Sequence, residues 1–96
     1  MDSLEALIAE HLREPFPVSV EKGLDYGEVD PVMVGADIYG WALKASSGEL
    51  SSDELARLRP AREALKRSLS EFPAEARPYY QHLVRLALAA EERGST

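Results

Sequence analysis

Apolar residues fall into four blocks with a helical step, and prolines, glycines and capping residues separate the blocks. In the first, Leu4, Leu7, Ile8 and Leu12 share one face, which predicts an amphipathic helix over residues 3–13. Asp2 and Glu5 stand at capping-box spacing before it, and Glu14-Pro15-Phe16-Pro17 ends it by removing backbone donors. Asp30-Pro31 opens the second block, a capping residue followed by proline at the first helical position, and Ser46-Ser47-Gly48 closes it after Ala45. Only Asp37, Gly40 and Lys44 make a polar stripe on this segment, so it is expected in the middle of a bundle, with Trp41 buried against the first and fourth helices.

Ser51 and Glu54 form a second capping box. From there Leu55, Leu58, Leu65, Leu69 and Phe72 keep one face through Pro60. That unbroken phase predicts one continuous, kinked helix, the alternative being a break at Arg59. The fourth block follows Pro73, with Pro78 in its first turn, and runs through Tyr80, Leu83, Val84, Leu86, Ala87, Leu88 and Ala90 to Arg93. Between the first two helices, Val18-Ser19-Val20 alternates like a strand, but a lone strand is not stable in water. Residues 17–29 are therefore read as a long ordered loop. The predicted fold is all-α: one compact four-helix domain over residues 1–93, with a disordered tail at 94–96.

Composition narrows the function classes. Ninety-six residues make one small domain, and the absence of cysteine excludes disulfides, thiolate nucleophiles and cysteine-ligated metals. A net charge of −6 argues against a nucleic-acid partner. The first twelve residues lack the basic region and apolar run of a secretory signal, and no stretch reaches the roughly 20 apolar residues of a membrane span. The expectation is a cytosolic protein with no membrane contact. Eight arginines against three lysines fit bacterial coding from a GC-rich genome.

The charges are unevenly placed. Residues 1–54 hold 12 acidic and 3 basic side chains, net −9, whereas residues 55–96 hold 5 acidic and 8 basic, net +3. Arg59, Arg62 and Lys66 share a face of the third helix, and Asp25 and Glu28 lie on the loop. One reading is neutralisation within the chain; the other is that these patches dock another protein or a second copy. Nucleic acid fits the basic stripe poorly, because no aromatic residue alternates with the cations.

Little in the sequence resembles catalytic chemistry. His11 and Glu14 could supply two metal ligands, but no third is apparent, and both His11 and His82 read as surface residues. Asp25, Glu28 and Asp30 lack the alternation and closing glutamate of a calcium loop. Asp37 is the one carboxylate on the apolar second helix; it is either solvated beside Gly40 or the acid of a small pocket with Tyr26 and Tyr39. No nucleophile elbow, phosphate-binding glycine loop or ordered triad is readable. The leading expectation is a protein interaction or regulatory module with no metal or cofactor; the alternative is a ligand-binding or catalytic domain around Tyr26, Asp37 and Tyr39.

Overall fold

The last helix is the one the others pack around. In the computed structural model, which describes residues 3–95, α1 (Leu4–Arg13), α2 (Pro31–Ser46) and α3 (Ser52–Ser68) each lie against α4 (Arg77–Gly94). The four-helix, all-α fold and the long loop between α1 and α2 are as the pattern predicts. Cα atoms have a radius of gyration of 12.6 Å, matching the roughly 12.5 Å expected for a compact domain of this length.

Local chemistry sets the helix ends. The Ser3 hydroxyl accepts from the Ala6 amide at the start of α1; the expected Asp2 cap lies outside the described residues. At α2, Asp30 Oδ1 accepts from both the Val32 and Met33 amides, with Pro31 following as the first helical residue. Gly48 takes φ of +76° just beyond α2, a left-handed conformation that favours glycine and lets the chain turn out of the helix. Both halves of the Ser51–Glu54 capping box form at α3. Pro60 sits within α3 without breaking it, so the continuous-helix expectation holds. That helix ends at Ser68, however, and two 3₁₀ turns, Leu69–Glu71 and Ala74–Ala76, carry Phe72 into the core. At the far end α4 continues through Gly94 with Ser95 as its cap, which overturns the predicted disordered tail at those two residues; Thr96 lies outside the described residues.

Tyr80 holds the centre of the core. Its ring is fully buried, 4.0 Å from Phe72 and 5.0 Å from Tyr79 between centroids, and its hydroxyl donates to the Pro31 carbonyl at 2.9 Å. Ile38, Leu58, Leu65, Leu83 and Leu86 complete the interior. Trp41, expected there, is only partly buried. The reason is rotational: α2 turns Val34, Ile38, Ala42 and Ala45 inward, and Trp41 falls on the edge of that arc.

The loop is pinned rather than free. Val20 and Val29 are buried, Tyr26 stacks on Phe72 at 4.8 Å, and Tyr26 exchanges backbone hydrogen bonds with Val29. Gly27 takes φ of +60°, and a Cβ there would stand 2.6 Å from the Ser68 hydroxyl. That close approach lets the Glu28 amide donate to Ser68 Oγ at 2.9 Å, while the same hydroxyl donates to Ala64 O.

Candidate functional site

The residues singled out in the sequence are not brought to one pocket. Tyr26 is held in the loop, its hydroxyl accepting from the Glu21 amide. Tyr39 faces α1, its ring 5.4 Å from that of His11. Asp37 is exposed on the outer face of α2 with no partner among the described residues. None of these three lines the cleft found between α1 and α4.

The basic stripe is largely engaged inside the molecule. Glu91 on α4 is 4 % exposed, and Arg59 and Arg62 from α3 both donate to it. A buried carboxylate needs such partners, because stripping its water without them is costly. Arg67 clasps Glu28 through two bonds of 2.8 and 2.9 Å, joining the basic helix to the acidic loop and holding the Glu28 carboxyl below its usual range. Lys66 and Asp25 are exposed. Asp30 is occupied as the α2 cap, so the loop acids form no cation cage; the described residues contain no group of three or more potential metal ligands.

Instead, two surfaces stand out. The first is the outer face of α2. At 100° per residue, Val32, Leu43, Ala36, Gly40, Met33, Lys44 and Asp37 follow one another across an arc of about 140°. Val32, Met33 and Leu43 are 39, 56 and 43 % exposed. Gly40 lies in the middle of this arc, and a Cβ built on it would meet nothing within 4 Å. The sequence pattern put this helix wholly inside the bundle; the structure gives it an apolar outer face, because only α1, α3 and α4 are available to cover it. Lys44 at the edge of the face pairs with Glu54. That pair and the Ser51 amide draw the Glu54 carboxyl down to about 2.

The second is a cleft of about 410 Å³ between the end of α1 and the first half of α4, lined by Glu10, His11, Arg13, Glu14, Pro78, Tyr79, His82 and Arg85. Both histidines, read from sequence as surface residues, are drawn inward. His82 is 7 % exposed, and its Nε2 lies 3.0 Å from the Leu7 carbonyl. A carbonyl only accepts, so Nε2 carries the hydrogen, and Nδ1 faces the Glu10 carboxylate at 3.7 Å. His11 stacks parallel to His82 at 6.4 Å and packs against Tyr79 at 5.5 Å. Its Nδ1 is buried with no hydrogen-bond partner among the described residues. Burial first, and then the neighbouring His82, push the His11 pKa down, while burial raises that of Tyr79. Periodicity could have flagged His11, which is four residues from Leu7 and three from Ile8. His82, three residues after Tyr79 and four before Leu86, stands only at the edge of the apolar arc of its helix, a weaker signal.

Compared with known proteins, this chain matches no family model, no curated protein and no solved structure. Among the described residues, no helix is long and apolar enough to cross a membrane.

Proposed function

We propose that this chain is a protein-binding module that docks a partner through the outer face of α2. The observation that carries the reading is the exposed row of Val32, Met33 and Leu43 on the most apolar helix of the molecule, with Gly40 open between them. Single exposed apolar side chains are ordinary, but a helix face that is apolar at both ends, with the small residues Ala36 and Gly40 between, is a form that docking surfaces take. Glycine inside a helix costs about 1 kcal/mol relative to alanine, and the fold of this chain gives no steric reason for it at position 40. A partner approaching closely over Gly40 supplies one. The partner is a protein rather than nucleic acid, since Arg59 and Arg62 are committed to Glu91 and the chain is acidic.

Replacing Met33 and Leu43 together by glutamate tests this. The double variant is expected to fold as the parent does, because both side chains already meet water, and to lose the cross-linked adduct formed in cells that make the protein. An unchanged adduct would remove the α2 face from the reading.

The histidine cleft supports a second, small-ligand reading, favoured by the unpartnered His11 Nδ1 and by a volume within the range of ligand pockets. Its test is NMR titration with a library of small amines and carboxylates. Saturable shifts of the His11 and His82 ring protons support it, and their absence removes it.

A further inference from the structure

We infer that the occupant of the α2 face is a second copy of this chain, with the two α2 helices antiparallel across a two-fold axis. This inference rests on the docking reading above and adds the identity and geometry of the partner. The charges on the face point to it. Asp37 and Lys44 lie side by side on one flank of the arc, about 20° apart around the helix and seven residues apart along it, roughly 10.5 Å. Val32, Ala36 and Leu43 lie on the opposite flank, with Gly40 between the two flanks.

A two-fold axis perpendicular to the plane of an antiparallel helix pair places like flank against like flank. Centred between residues 40 and 41, it brings Asp37 of each copy level with Lys44 of the other, once at each end of the contact. The apolar flanks then meet along the other side, with Leu43 of one copy at the height of Ala36 to Ile38 of its neighbour. One segment thus carries both halves of its own complement, the property an isologous interface requires. Asp37 has no partner among the described residues, and Lys44 keeps donor capacity beyond the single Glu54 carboxylate it pairs with. The open space over Gly40 allows the two backbones to come close at the centre.

One helix face is smaller than the roughly 800 Å² per partner typical of stable interfaces. The dimer is therefore weak, and measurement needs protein at tens to hundreds of micromolar.

Sedimentation equilibrium on Asp37→Lys and Lys44→Glu, first separately and then mixed, tests the geometry. The parent chain is expected to populate a species of twice 10.6 kDa. Each variant alone places like charges at both ends and is expected to associate at least tenfold more weakly. In an equimolar mixture one copy carries two cations on this flank and the other two anions. Opposite charges then face each other at both ends, and association is expected to recover. Circular dichroism of each variant confirms the fold; because Lys44→Glu sets a second glutamate beside Glu54, Lys44→Gln paired with the parent chain serves as a milder arm, with an intermediate loss expected. A parent chain that stays monomeric, or a mixture no tighter than its separate components, overturns the inference. Should the parent be monomeric while the Met33 and Leu43 substitutions still abolish an adduct of another mass, the docking reading stands and the second copy does not.

Discussion

Gly27 is the residue on which the loop depends most. Its positive φ and the 2.6 Å separation of a Cβ from Ser68 Oγ leave no room for alanine without displacing the buried serine or the Glu28 amide bonded to it. Gly27→Ala is expected to destabilise the chain by about 1–3 kcal/mol in urea unfolding, whereas the same change at Gly40 is expected to stabilise it by about 1 kcal/mol. Equal effects at the two positions would contradict both assignments. Tyr80→Phe removes the donor to the Pro31 carbonyl in the interior and is expected to lower stability by about 1–2 kcal/mol. His11 gives a pH signature. Its folded pKa lies below the usual 6.5, so the neutral form is the one the fold favours; the stability it contributes is present above pH 6.5 and is lost as pH falls below that value. The ring is faced by Tyr39, Tyr79 and His82, with Glu10, Glu14, Arg13 and Arg85 around the cleft. The urea midpoint is expected to fall between pH 7.5 and 5.5, and to fall less in His11→Phe. An identical drop in both proteins would assign the effect elsewhere.

At the scale of elements, what could be read from sequence was what local chemistry decides. Asp30-Pro31, Ser51 with Glu54, Gly48 and the prolines at 15 and 17 set helix ends through bonds that span four residues or fewer, so their positions follow from the string of residues alone. Burial does not follow in this way, because it depends on which helices become neighbours. Trp41 and Tyr80 are both aromatic residues on helices that pack against three others, yet only Tyr80 faces the centre, since α2 turns Val34, Ile38, Ala42 and Ala45 inward and leaves Trp41 at the edge of that arc. Glu91 illustrates the same limit. It reads as one of two adjacent acids near the end of the chain, and only the approach of α3 reveals it as the buried anchor of Arg59 and Arg62. The basic stripe was thus visible as a stripe, while its main use, neutralising a carboxylate on the next helix, was not. For α3 itself, Pro60 within a continuous helix omits one backbone bond at an exposed position. Pro60→Ala is expected to be neutral or stabilising, by up to about 3 kcal/mol, and clear destabilisation on thermal melting would indicate that the proline organises a helix start there.

Over the whole molecule, ion pairs tie one element to another: Glu5 on α1 to Arg93 on α4, Glu28 to Arg67, Lys44 to Glu54 and Glu91 to Arg59 and Arg62. Glu5, held chiefly by Arg93, and Glu54, held chiefly by Lys44, both have carboxyls drawn from 4.5 to about 2. The unfolded chain therefore binds more protons across this interval, so stability contributed by these pairs is complete above about pH 5 and is lost as pH falls toward 2. The pairs are exposed, and high salt is expected to shrink this acid-dependent loss. On the proposed reading, the exposed apolar face of α2 is the docking surface of this small helical domain. A scan that places a photo-activated cross-linker at each position from 32 to 44 of α2, and at exposed Arg57, Glu63 and Lys66 of α3 as controls, reads that face directly. Adduct yield is expected to rise and fall with a period of three to four residues, peaking at 33, 36, 40 and 43, and to be low on α3. A flat profile along α2, or a maximum on α3, would contradict the assignment of the α2 face as the docking surface.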